Sequence, residues 1–171
     1  PCFIVMEYFG GKKTDKPLIM IGKGITYDTG GLNVKPSGHM HDMHLDMSGG
    51  ASAIGAFSAV AKLGLKKNVI ALIPAAENAV SDRAMRAGDI ITSMSGQTVE
   101  VIHTDAEGRL VLADALTYAA KYYRPKVVVD MATLTGAALV ALGQHASAIM
   151  TKDKKLQTIL ETLGEESGDY V

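Results

Sequence analysis

The sequence predicts an α/β fold whose sheet is largely parallel and covered by helices on both faces. Three observations carry that expectation. Segments of strand and helix character alternate along the chain. Several strand segments, "PLIMIG" and "KVVVDMATL" among them, are continuously apolar, as strands buried on both faces are. Polar and glycine-rich segments follow those strands directly, at the edge where open α/β sheets bind ligands.

Taken in order, Cys2 to Phe9 alternates apolar residues and reads as a strand. "GGKKTDK" is a polar turn suited to a hairpin connection. Pro17 to Gly22 is a short buried strand. The next segment, "GKGITYDTGGLNVKPSGHMHDMH", is too long and irregular for a simple connector, and loops of that length are usually functional or disordered. From about Asp46, "DMSGGASAIGAFSAVAKLG" is a run of small residues that reads as a closely packed helix ended by Gly64. "NVIALIPAAEN" is another buried strand, and "AVSDRAMRAGDIITSMSG" a turn-rich loop. "QTVEVIHTDAE" alternates like a strand, and "RLVLADALTYAAKYY" is a helix that stops before Pro125. "KVVVDMATL" is a strand, "TGAALVALG" a short helix, "ASAIMTK" a last strand and "DKKLQTILETLGEES" an amphipathic surface helix. No internal repeat interrupts this order.

The chain of 171 residues suits one domain with a real core. It is 47% apolar and 20% charged, a globular composition. A net charge of −1 offers no electrostatic case for nucleic acid or anionic membrane. No apolar run is long enough to span a bilayer, and no basic segment precedes a leader-like one. Cys2 is the only cysteine, which excludes an intrachain disulfide or a cysteine-based zinc site and fits a reducing, cytoplasmic location. The start at Pro1 and the stop at "EESGDYV" suggest a segment of a longer protein.

Seven ionisable residues near strand ends are candidates for chemistry: Lys23, Asp28, Lys35, Asp46, Asp105, Glu107 and Arg109. Each has a structural reading. Lys23 fits a solvated loop, Asp28 a turn at "DTGG" and Asp46 the N-cap of the next helix. Lys35, before Pro36, fits extended loop, and Arg109 a helix surface. Thr104 and Glu107 match a capping box, and acids in a first turn complement the helix dipole. The chemical reading is that four carboxylates converge on one cleft. If residues 105–109 were extended, Asp105, Glu107 and Arg109 would face one way. Such carboxylates repel unless cations sit among them, and oxygen ligands suit Mg²⁺, Mn²⁺ or Zn²⁺, singly or as the metal pair of a hydrolytic site. His39, His41 and His44 in "HMHDMH" form a rival ligand set, without the i, i+4 spacing of helical zinc sites. No P-loop, dinucleotide fingerprint or GxSxG elbow is present.

The motif "HTDAEGRL" resembles "NTDAEGRL", the signature of the leucyl (cytosol) aminopeptidases, with one residue changed. The resemblance continues through "IGKGITYDTGGLNVKPS", "MHLDMSGGA", "VIALIPAAEN", "AGDI", "TSMSGQTVEV" and "ATLTGA". It implies a catalytic domain with a mixed, mostly parallel, eight-stranded sheet between helices. Residues 1–171 would be its core, without the family's N-terminal domain and the C-terminal part of the catalytic domain. Two divalent metals are implied, zinc or manganese with magnesium or cobalt as alternatives, together with bicarbonate and a hexameric homo-oligomer. Lys23, Asp28, Asp46 and Glu107 would hold one metal; Asp28, Glu107 and Asp105 the other. Lysine is an unusual ligand and must bind as the neutral amine. Lys35 would act as an electrophile toward the carbonyl oxygen, and Arg109 would hold bicarbonate as general base. Met43, Thr133 and Gly136 would line the pocket for the first side chain, beside which His44 replaces a common Lys or Arg. The implied reaction is removal of the N-terminal, leucine-like residue of a peptide by metal-activated hydroxide, in the cytoplasm. Two alternatives stay open: a non-catalytic scaffold or DNA-binding relative, and a two-metal phosphoesterase.

Overall fold

The structure, a computed structural model, describes residues 1–171. They form two compact units, Pro1–Thr133 and Leu134–Val171. In chain order the first unit holds β1 (Cys2–Phe9), β2 (Leu18–Gly22), β3 (Gly24–Asp28), α1 (Ser48–Lys62), β4 (Asn68–Asn78), β5 (Ile90–Thr92), β6 (Thr98–Glu100), α2 (Gly108–Tyr123) and β7 (Val127–Met131). The second holds α3 (Ala137–Leu142) and α4 (Lys154–Ser167).

β4 organises the main sheet because it is the longest strand and apolar on both faces. β1 runs antiparallel to it, from Cys2 opposite Ala75 to Phe9 opposite Asn68. β2 runs parallel to β4 from Leu18 opposite Val69, and pairs in parallel with β7. β3 pairs in parallel with β4 farther on, from Gly24 opposite Ala75 to Asp28 opposite Asn78, across a bulge. The sheet is therefore mixed and mostly parallel, as expected. The hairpin expected at "GGKKTDK" does not form: β1 and β2 flank β4 instead of pairing with each other. The reason is burial. Continuously apolar β2 and β4 belong in the interior, whereas alternating β1 suits an edge.

Alternate residues of β4 feed two cores. Ile70 and Leu72 join Ile19, Ile21, Leu112, Ala115 and Ala119 under α2. Val69, Ala71 and Ile73 join Ala53 and Phe57 under α1. One helix thus covers each face, and the period of two in the strand divides the layers. The small residues that open α1 permit a very close approach. A Cβ on Gly22 would strike the Gly49 carbonyl, and a Cβ on Gly49 would strike that of Met131.

Three further expectations need correction. The glycine-rich segment after Gly22 is not all loop, because it contains β3. The strand expected over "QTVEVIHTDAE" shrinks to β6, which pairs only with β5, a strand within the expected turn-rich loop. "ASAIMTK" forms no strand: no other segment offers it a ladder, and an unpaired strand leaves its backbone groups unsatisfied. In the second unit α4 matches its expected span. Asp153 caps it, accepting from the Lys155 and Leu156 N–H groups at 3.0 and 3.1 Å, and Gly168 ends it at φ +77°.

Candidate metal centre

β2 and β7 end side by side at Gly22 and Met131, β3 continues along β4 until both end at Asp28 and Asn78, and the candidate side chains gather over this stretch. Lys23 occupies the break between β2 and β3. Its N–H donates to the Met131 carbonyl at 2.9 Å, and its own carbonyl accepts from Gly50 at 2.8 Å. The side chain is buried. Its Nζ lies 2.8 Å from Asp46 Oδ2 and 3.3 Å from Glu107 Oε1, and donates to the Thr133 carbonyl at 3.1 Å. Asp46 is also buried, and its Oδ1 accepts from the Thr133 hydroxyl at 2.7 Å. The N-cap reading of Asp46 does not hold: Met47 is the N-cap of α1, and no side chain caps it.

Asp28 ends β3. Its Oδ1 accepts from the Gly30 N–H and from Asn78 Nδ2, both at 2.9 Å, while Oδ2 lies 3.0 Å from Lys35 Nζ. The turn reading and the cluster reading of Asp28 therefore both apply, one to each oxygen. The Lys35 ammonium also contacts Asp105 Oδ1. Lys35 and Lys23 are thus neither solvated nor simple loop lysines.

Asp105 does not stand on an extended strand. It lies in a 3-10 turn, Thr104–Ala106, whose N-cap His103 accepts from the Asp105 N–H through Nδ1 at 3.3 Å. Glu107 immediately precedes α2, so the two carboxylates converge through helical winding. The capping box is absent as well. The Thr104 hydroxyl donates to the Gly30 carbonyl at 2.6 Å and accepts from the Asn33 N–H at 2.8 Å. The Thr104 N–H donates to Asn33 Oδ1 at 2.8 Å. Thr104 stitches this turn to the loop after β3 instead of capping a helix.

One oxygen each from Asp28, Asp105 and Glu107 can be chosen so that all three lie within 4.8 Å of one another. Burial raises the Glu107 pKa most; the Lys23 charge opposes this, and Asp28 adds to it. For Lys35, burial is the largest influence and acts downward, but hydrogen bonds and charge from Asp105 and Asp28 together hold its pKa above the usual lysine value. Asp46 Oδ2, Asp105 Oδ1 and Glu107 Oε1 are buried, and no neutral donor reaches them. Only ammonium nitrogens lie beside them. Hard, converging oxygens offset only by lysine ammonium groups are a donor set that fits divalent cations.

The other predicted residues are placed differently. Arg109 is exposed on the first turn of α2, and its side chain makes no ion pair or hydrogen bond. Met43 is half-buried in a 3-10 turn, Met43–Leu45, just before Asp46. Thr133 already serves Asp46 and Lys23 as described. Gly136 belongs to the second unit, at the N-cap of α3. His39, His41 and His44 are exposed and join no ligand group. Sequence reading missed Asn78, whose amide touches two of the carboxylates. The available signal was a polar residue closing an apolar strand at the ligand-binding edge.

Comparison with known proteins supplies the family. The family model described as the cytosol aminopeptidase family, catalytic domain, matches residues 1–171. A probable cytosol aminopeptidase of Azoarcus sp. (strain BH72) is 52% identical over 99% of this chain and 34% of its own length. The structure of Caenorhabditis elegans leucine aminopeptidase superposes with a TM-score of 0.95 at 40% identity, over 99% of this chain and 34% of that one. The bottromycin maturation enzyme BotP in complex with Mn superposes at 0.90 with 40% identity, over 98% of this chain and 37% of that one. The chain spans about a third of the length of the curated relatives it matches. With its sheet, its strand-end carboxylates and its matched span, the chain belongs to the cytosol aminopeptidase family, within the catalytic domain.

Proposed function

We propose that residues 1–171 form the core of the catalytic domain of a two-metal aminopeptidase that removes the N-terminal residue, leucine-like by preference, from peptides. The observation that carries this reading is the group of converging Asp28, Asp105 and Glu107 oxygens at the strand ends, joined to buried Asp46 through Lys23, with lysine ammonium groups as the only cations among them. The relative bound to Mn and a Leishmania major leucyl aminopeptidase in complex with actinonin support it.

Lys23, Asp28, Asp46 and Glu107 would hold one cation, and Asp28, Glu107 and Asp105 the second, zinc or manganese before magnesium or cobalt. When bound, such ions supply Lewis acidity and acidify a water, and bicarbonate supplies a proton acceptor. The chain's own residues do the rest. Lys35, already held by two carboxylates, presents an ammonium beside the cluster to a carbonyl oxygen as negative charge develops on it. Arg109, exposed and unpaired, is available to hold bicarbonate through its planar fork of donors. Met43 and Thr133 would line the pocket for the first side chain. A homo-hexamer in the cytoplasm is the assembly proposed for the whole protein. No helix is long and apolar enough to cross a membrane.

The test is a substrate panel of leucyl anilides, peptides and phosphate esters, assayed on the full-length protein loaded with Mn²⁺ or Zn²⁺. Stoichiometric metal and peptide hydrolysis are expected, with Asp105→Ala lowering kcat/KM about a hundredfold or more. Absence of bound metal, with hydrolysis unchanged by Asp105→Ala, would sink the proposal.

A further inference from the structure

Resting on the two-metal reading, we propose that Asn78 is a positioning residue for this site. Its side-chain amide holds one oxygen of Asp28 and one of Glu107, and so aims the other oxygen of each into the cluster.

Asn78 is the last residue of β4. Its Nδ2 lies 2.9 Å from Asp28 Oδ1, 3.0 Å from Glu107 Oε2 and 3.1 Å from the Thr104 carbonyl. An amide nitrogen carries two hydrogens, so three acceptors share them. Charge sets the amide's orientation. Flipped, Asn78 would place its oxygen against two carboxylates and a carbonyl. The partner oxygens face the other way, toward the lysines: Asp28 Oδ2 lies 3.0 Å from Lys35 Nζ, and Glu107 Oε1 lies 3.3 Å from Lys23 Nζ. Each carboxylate is divided between a neutral amide and the cluster. Asp28 and Glu107 are also the two residues proposed to be shared between the ions, so rotation of either would misplace an oxygen needed at both.

The amide is itself well anchored. The Asn78 carbonyl accepts from the Thr29 N–H and from the Thr29 hydroxyl, both at 2.8 Å, beside the register pair Asp28–Asn78. Groups that orient metal-binding side chains commonly change metal affinity 10- to 100-fold when removed.

The competing explanation is a plain structural clamp, and the same strand supplies a control. Asn68, at the other end of β4, accepts from the Gly11 N–H at 3.0 Å and donates to the Lys12 and Asp15 carbonyls at 2.7 and 2.9 Å. It clamps a loop and touches no carboxylate side chain.

The experiment is calorimetric titration of metal-stripped full-length protein with Mn²⁺. Asn78→Ala should weaken Mn²⁺ binding about 10- to 100-fold. Asn68→Ala should lower the melting temperature yet leave the Mn²⁺ affinity within about twofold, since it removes no group near the ligands. Asn78→Ala should cost less in a Glu107→Gln background, because the two share one hydrogen bond. If Asn78→Ala does not fold, Asn78→Ser is read in its place with the same expectation. Unchanged Mn²⁺ affinity, or a loss that Asn68→Ala reproduces, overturns the inference while leaving the two-metal reading intact. A wild-type protein that binds no Mn²⁺ overturns both.

Discussion

At the scale of single residues, the site depends on atoms that are missing as much as on those present. Gly108 opens α2, where alanine would ordinarily be the better helix former by up to about 1 kcal/mol. Here a Cβ would lie 2.5 Å from Lys23 Cε and 2.8 Å from Nζ. Lys23 cannot swing aside, because Asp46, Glu107 and the Thr133 carbonyl hold its ammonium in a buried position. Overpacking of this kind costs about 1–3 kcal/mol, which exceeds the gain in propensity. Gly108→Ala is therefore expected to lower stability, as read by urea denaturation. An increase would show that Lys23 is free to move.

At the scale of elements, α2 is tied to the sheet at both ends. Its start carries Glu107 into the cluster, and its end is held by the Tyr123 hydroxyl, which donates to Glu7 on β1 at 2.7 Å. Burial, then the Glu7 carboxylate, pushes the Tyr123 phenol pKa well up. A phenol whose folded pKa exceeds its unfolded value contributes stability that is fully present below about pH 10. That contribution is lost as the pH rises toward the folded pKa. Two outcomes follow. In an alkaline titration read by phenolate absorbance, a late step is expected for Tyr123, and Tyr123→Phe should remove it. The same variant should cost about 1 kcal/mol or less at neutral pH, the net worth of an ordinary hydrogen bond.

At the scale of the whole molecule, the sheet gathers residues that lie far apart in sequence, from Lys23 to Thr133, onto one edge. The folded cluster is present only in the native chain, so a cation that binds it stabilises that state. The effect is about 2.7 kcal/mol at a free concentration one hundred times Kd. Addition of Mn²⁺ to the metal-stripped protein is expected to raise Tm by several degrees, and a chelator to reverse the rise. Asp28→Asn should blunt the shift, because it weakens a ligand proposed to be common to both ions. A Tm indifferent to Mn²⁺ would count against a metal centre here.

The local pattern of the chain was enough to read most of the elements. Small residues announced α1, apolar runs announced β2, β4 and β7, and helical periodicity announced α2 and α4. Each of those signals is a property of neighbours in sequence, set by backbone sterics and by which faces must be buried. The candidate ionisable residues were legible for a similar reason: they stand in polar segments just beyond buried strands. Strand order was not legible, since the turn at Gly10–Lys16 permits a hairpin, and only competition for the buried centre of the sheet placed β4 between β1 and β2. Nor were the partners of Thr104 and Asn78. A capping box and a strand end are local descriptions, whereas Thr104 bonds a loop 71 residues away and Asn78 bonds Asp28 across 50. Local chemistry determined which residues were able to serve. Tertiary structure decided which oxygen of each carboxylate is tied and which is left facing the cluster, because that choice rests on atoms brought together only by the folded sheet.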